Sequence, residues 1–121
     1  MSVTPDYLRY IIDQLTSLDR VTSRRMFGGV GLYCDGLFFG IISADTVYFK
    51  VDDSNRAIYE ARGMDKFRPF RDKPQLSMNY YEVPADVIED PEELAAWARR
   101  SLAVAITPKK PAAVKQRKRK F

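Results

Sequence analysis

The chain has 121 residues, 45% hydrophobic and 30% charged, with one cysteine and no histidine. That is enough for one domain with a real core and too little for two ordinary ones. The missing histidine removes the commonest general base and transition-metal ligand, excludes Ser-His-Asp and Cys-His nucleophiles, and all but excludes a structural zinc site.

No run approaches the roughly 18 to 20 apolar residues of a membrane span. The N-terminus has no basic segment followed by an apolar one, so no signal peptide is expected. Lone Cys34 cannot form an internal disulfide, and a reducing, cytoplasmic setting is expected. The formal charge of +4 is divided unevenly. Residues 109–121 hold seven of the 20 basic residues and none of the 16 acidic ones, leaving a mildly acidic body of 13 basic against 16 acidic residues.

Thr4-Pro5-Asp6 predicts a helix start: a hydroxyl N-cap, proline at the first position and an acid in the first turn. Leu8, Ile11, Ile12, Leu15 and Leu18 continue it as one apolar stripe. Strands are predicted near 24–27, 30–35, 37–43 and 46–51. Asp35-Gly36 marks one hairpin turn and Ala44-Asp45 the next. Both parities of strand 37–42 are apolar, Phe38 with Ile42 and Phe39 with Ile41. This fits either a central strand covered on both faces or an exposed apolar face used for self-association.

Asp52-Asp53-Ser54 predicts the cap of a second helix running to about Arg62 and stopping at Gly63. Residues 64–75, with Pro69 and Pro74, read as a loop with room for a short edge strand. Residues 76–81 alternate as a strand that Pro84 ends. Asp90-Pro91-Glu92-Glu93 predicts a capping box for a last helix with Leu94, Trp97, Ala98, Leu102 and Ala105 on its stripe, closed by Thr107-Pro108. The expectation is a two-layer α+β domain over residues 1–107, an antiparallel β-sheet covered by helices in the order α-β(3-4)-α-β(1-2)-α. A basic disordered tail over 108–121 would follow.

Few features carry chemistry. Gly28-Gly29-Val30-Gly31 lacks the lysine and hydroxyl residue of a P-loop, and Cys34 stands where a dinucleotide fingerprint needs its third glycine. A β-bulge or sharp bend is the expected role. Phe27, Tyr33, Phe38, Phe39, Tyr48, Phe49, Tyr80 and Tyr81 could stack single-stranded bases, but core packing and cross-strand pairing explain most of them. Lys50, Asp52, Asp53 and Arg56 lie at a strand-to-helix junction, where capping explains the acids better than an anion site does. Cys34, without a nearby cation, reads as an inert half-buried thiol. Lys109, Lys110, Lys115, Arg117, Lys118, Arg119 and Lys120 form an arm suited either to nonspecific contact with DNA phosphates or to solubility alone. No helix-turn-helix is visible, and no paired-acid constellation points to an enzyme.

Met26-Phe27-Gly28-Gly29, Gly31-Leu32-Tyr33, Val47-Tyr48-Phe49-Lys50-Val51, Gly63, Met78-Asn79-Tyr80-Tyr81-Glu82-Val83-Pro84, Asp90-Pro91-Glu92-Glu93-Leu94 and Ala96-Trp97-Ala98 occur in that order across residues 4–106. Together they resemble the N-terminal domain of the TfoX/Sxy family of competence regulators. The resemblance implies an antiparallel sheet backed by helices, like that of secretion chaperones. It also implies a non-enzymatic role in transcriptional regulation of competence genes through a DNA-bound activator. The longer regulators resembled here carry a second, helical C-terminal domain that this sequence does not contain. The expected partners are DNA through the tail and a protein activator or second copy through the body, with no cofactor, metal or membrane. The alternative is a small dimeric chaperone-like or ligand-binding domain without a DNA role.

Overall fold

The computed structural model describes residues 3–26, 28–68 and 79–106. Helix α1 (Pro5–Gln14) starts as expected, with Thr4 Oγ1 accepting the Tyr7 N–H at 3.2 Å. It is shorter than its apolar stripe. Leu15 and Leu18 lie in the turn beyond it, where Thr16 and Ser17 favour non-helical hydrogen bonding, yet both stay in the core.

Four strands follow, β1 (Val21–Met26), β2 (Gly29–Cys34), β3 (Leu37–Ser43) and β4 (Thr46–Lys50), and after α2 (Arg56–Glu60) comes β5 (Tyr80–Glu82). They form one antiparallel sheet in sequential order, with β3 at its centre. The α+β architecture is therefore as expected. The strand expected over 76–81 is Tyr80–Glu82 within the described residues, and 76–78 lie outside them. The short edge strand is a single antiparallel bridge, Lys66 to Tyr81, flanked by Phe67 N–H to Tyr80 O and Glu82 N–H to Asp65 O.

The bulge or bend expected at Gly28–Gly31 is divided between two places. Gly28, at φ 77°, turns the β1–β2 hairpin. The register shift comes later: Leu32 faces Gly40 and Tyr33 faces Phe38, so Phe39 is the extra residue. This shift regroups the central strand. Phe39 and Ile42 face the helices, and Phe38 and Ile41 face away, unlike the pairing that simple alternation predicts.

The second helix is also corrected. Asp52 Oδ1 accepts the Ser54 N–H, but the helix begins only after Asn55. Asn55 is buried, accepts the Asp52 N–H through Oδ1 and donates through Nδ2 to the Lys50 carbonyl at 3.1 Å. Its C-terminal turn ends as predicted at Gly63, φ 71°, with Gly63 N–H on Glu60 O and Met64 N–H on Tyr59 O, the paired bonds of a Schellman motif. A four-residue helix that the sequence reading did not anticipate, α3 (Ala85–Ile88), follows Pro84; the Ile88 carbonyl accepts the Gln14 side-chain amide. Helix α4 (Pro91–Ile106) is capped by Asp90, whose carboxylate accepts the Glu92 and Glu93 N–H groups. The reciprocal half of the expected capping box is replaced, because the Asp90 N–H goes to Val87 O.

The helices cover one face of the sheet. Ile11, Leu15, Leu94 and Ala98 meet Val30, Leu32, Phe39, Ile42, Val47 and Phe49 in one core. Two polar side chains are buried among these, Asn55 and Ser101, and both donate to the Lys50 carbonyl, Ser101 Oγ at 2.8 Å. Tyr59 is fully buried, 4.8 Å from the Trp97 ring and 5.7 Å from that of Tyr81. Its hydroxyl has no hydrogen bond of standard geometry; neighbouring Ser101 has its own proton committed to Lys50.

Asn55→Ala, which strands the Asp52 N–H and empties a buried site, should lower unfolding free energy by about 1–3 kcal/mol, and Ser101→Ala by about 0.5–1.5 kcal/mol. Denaturant unfolding with unchanged m-value checks both. By the same measurement Tyr59→Phe should be neutral or stabilising, whereas Tyr59→Ala should cost about 3–5 kcal/mol. A large loss in Tyr59→Phe would mean the hydroxyl is bonded.

Candidate functional site

The face turned away from the helices is the candidate site. Its residues are dictated by strand parity: Arg24 and Met26 on β1, Gly31 and Tyr33 on β2, Phe38 and Ile41 on β3, Tyr48 and Lys50 on β4, Tyr80 and Glu82 on β5. Tyr33 and Phe38 are direct cross-strand partners with ring centroids 5.1 Å apart, and Phe38 lies 5.8 Å from Tyr80. The Lys50 ammonium sits 6.0 Å over the Tyr80 ring. A second ring pair, Tyr48 with Phe67 at 4.8 Å, lies beside the first row. Gly31 has no side chain, so Met26, Tyr33 and Phe38 close over its backbone; an added Cβ would meet them at 2.8 to 3.2 Å.

This distribution fits the expectation that core packing and cross-strand pairing explain most of the rings. Phe39, Phe49 and Tyr81 are in the core, while Tyr33, Phe38 and Tyr48 are half-buried on the other face together with Tyr80, which is itself buried there. Phe27 lies outside the described residues. Alternation in the sequence could have found the second set, except that the Phe39 bulge conceals it on the central strand.

The face is also distinct in charge. Within the five strands Glu82 is the only acid, against Arg24, Arg25 and Lys50. Arg25 belongs to the helical side, where its guanidinium reaches the Val3 carbonyl. Acids gather in the helical layer instead, at Asp86, Glu89, Asp90, Glu92 and Glu93.

At the strand-to-helix junction of Lys50, Asp52, Asp53 and Arg56, the expected charge pair is present, but the acids do not cap α2, which begins after Asn55. Asp53 pairs with Arg56, and the Ser54 hydrogen bond holds the Asp52 carboxyl below its ordinary pKa. The Lys50 side chain leaves this group for the opposite face. Cys34 is partly buried, its thiol donating to the Asp19 carbonyl; burial, with Asp35 and Asp19 nearby, raises its pKa, as an inert thiol requires. Among the described residues no group of three His, Cys, Asp or Glu could hold a metal, and no helix is long and apolar enough to cross a membrane. Tail residues Lys109, Lys110, Lys115, Arg117, Lys118, Arg119 and Lys120 lie outside the described residues.

Together these features define a small two-layer α+β domain whose sheet carries helices on one side and an aromatic row on the other. The chain belongs to the TfoX N-terminal domain family, whose profile matches residues 13–105. It is similar to DNA transformation protein TfoX1 of Aliivibrio fischeri, with 25% identity over 85 residues, which take in 70% of this chain and 41% of that protein. The chain thus spans about two fifths of that relative's length.

Burial pushes the Tyr80 hydroxyl up to about 12, with neighbouring Tyr33 adding to the rise, and raises Tyr59, Tyr48, Tyr7 and Tyr81 as well. A phenol whose folded pKa exceeds its unfolded value stabilises the fold fully below the unfolded pKa of about 10, and that contribution is lost as pH rises through the folded value. Stability should therefore fall between about pH 10 and 12. Absorbance at 295 nm should show some tyrosines ionising only as circular dichroism reports unfolding. Complete ionisation of all seven tyrosines before any unfolding would contradict this burial.

Proposed function

We propose that this chain is a regulatory interaction module that works by binding rather than catalysis, in cytoplasmic transcriptional regulation of the competence type. The observation that carries the reading is the family match over residues 13–105; the name of the similar protein, DNA transformation protein TfoX1, points to the same biology. The folded body docks a protein partner, a DNA-bound activator or a second copy. The seven cations of residues 109–121 add affinity for DNA.

The physics of the tail is generic. Each cation that neutralises a phosphate releases counterions, so seven engaged residues give a log–log salt slope of up to about −6 on duplex DNA. Phosphate contacts position the chain without reading sequence, so choice of gene falls to the docked partner. The acid-rich helical layer is repelled by DNA and leaves the tail to make the contact.

Fluorescence anisotropy of labelled duplex DNA tests this with the full chain and with a full-length variant carrying glutamine at all seven tail cations. The natural chain should bind with a steep salt slope and the variant should lose nearly all binding near physiological salt. Equal binding by both, or none by either, would remove DNA from the function and leave the docked partner as its basis.

A further inference from the structure

We infer that the open edge of the sheet, strand β1, takes a sixth strand: an extended segment of a protein partner that carries two adjacent acidic residues. The inference rests on the reading of the body as a docking module and names the chemistry of what it docks. The two edges of the sheet are unlike. Beyond β5 the ladder is closed by the Lys66–Tyr81 bridge, with Phe67 N–H on Tyr80 O and Glu82 N–H on Asp65 O. Beyond β1 no backbone pairs among the described residues. The register fixes which groups are left over. The Met26–Gly29 pair closes a two-residue turn, so Met26, Arg24 and Thr22 bond to β2, and the N–H and C=O groups of Val21, Ser23 and Arg25 point outward. The Asp35 N–H to Arg20 O bond keeps the same alternation at the far end. Thr22, Ser23, Arg24 and Arg25 are all exposed, and β1 contains neither proline nor an acid.

The charges on this edge select the occupant. Arg24 and Arg25 are neighbours, so they leave on opposite faces, Arg24 with Gly31 on the helix-free side and Arg25 toward Val3 on the helical side. Arg24 has no ion pair among the described residues, and Arg25 makes only long contacts of 3.4 and 3.5 Å to the Val3 carbonyl. Residues directly opposite in a ladder share a face, so two adjacent acids on an added strand meet one arginine each. A second copy of β1 would instead gather the arginines of both chains at one seam with no acid between them. Nucleic-acid phosphates would answer the arginines and leave the outward N–H and C=O row unpaired. An extended acidic segment answers both: main-chain bonds supply affinity, and the acid pair sets the register.

The test titrates the full chain into a fluorescein-labelled, end-blocked peptide of threonine and valine with a central Glu-Glu pair, read by anisotropy. A Gln-Gln version should bind about three- to tenfold more weakly, and Arg24→Gln/Arg25→Gln should lose a similar factor on the Glu-Glu peptide. Ser23→Pro removes an outward N–H that β2 does not use, which an edge strand tolerates, and should weaken binding about tenfold. In the complex the Ser23 and Arg25 amides should gain protection from hydrogen exchange. The variant with glutamine at all seven tail cations should keep the peptide while losing duplex DNA, so failure of the edge and failure of the tail are distinguishable. No binding by the natural chain overturns the inference, as do equal binding of the Gln-Gln peptide, unchanged binding by a folded Ser23→Pro, or loss of the peptide on neutralising the tail. Ser23 and Arg25 amides already protected in a dimer of the free chain also overturn it. Should Ser23→Pro not fold, the Glu-Glu peptide N-methylated at every second residue, in each of the two phases, decides on the natural chain: loss in one phase supports the added strand, and equal binding in both overturns it.

Discussion

The Lys50 carbonyl is where this domain is tied together. A backbone oxygen has two lone pairs, and here Asn55 Nδ2 and Ser101 Oγ take them, at 3.1 and 2.8 Å. Those donors belong to the loop entering α2 and to the middle of α4. The two bonds therefore fix both helices on the last residue of β4. Around them the burial is apolar, so loss of Asn55 strands the Asp52 N–H that its Oδ1 accepts, and loss of Ser101 removes one of the carbonyl's two donors. Tyr59 on α2 is thereby held against Trp97 of α4 and Tyr81 of β5. Because side chains alternate along a strand, the same residue sends its ammonium to the opposite face, over Tyr80. The bond that closes the core also sets one end of the aromatic row.

The second constraint is that helices supply cover for one face alone. Phe39, Phe49 and Tyr81 satisfy that cover, and the residues between them cannot. They compensate by packing on one another, Tyr33 on Phe38 and Tyr48 on Phe67. Cross-strand ring pairs of this kind contribute about 0.5–1.5 kcal/mol beyond their buried area. The Phe39 bulge matters here. By inserting one residue it gives Phe39 and Ile42 to the core and Phe38 and Ile41 to the far face, where simple alternation would pair Phe39 with Ile41 and Phe38 with Ile42.

Most of the fold is legible where local physics decides it. Thr4-Pro5, Asp35-Gly36, Gly63 and Asp90-Pro91 each specify a cap or turn through their own backbone chemistry, and each is found where expected. What is missed is decided by distant groups. Asn55 displaces the Asp52-Asp53-Ser54 cap because a carbonyl five residues back needs its amide. Helix α3 is too short to show periodicity and takes its closing hydrogen bond from Gln14. The length of α1 is overread because Leu15 and Leu18 remain buried after the helix has ended. The aromatic face is half legible: β4 alternates cleanly, while on β3 the bulge regroups the rings that alternation would assign.

The tie at the Lys50 carbonyl holds both helices on β4, and denaturant unfolding of Asn55→Ala, Ser101→Ala and the double variant tests it most directly. The account predicts that the two losses are coupled by about 0.5 kcal/mol or more. Losses that simply add, with the m-value unchanged, would contradict it.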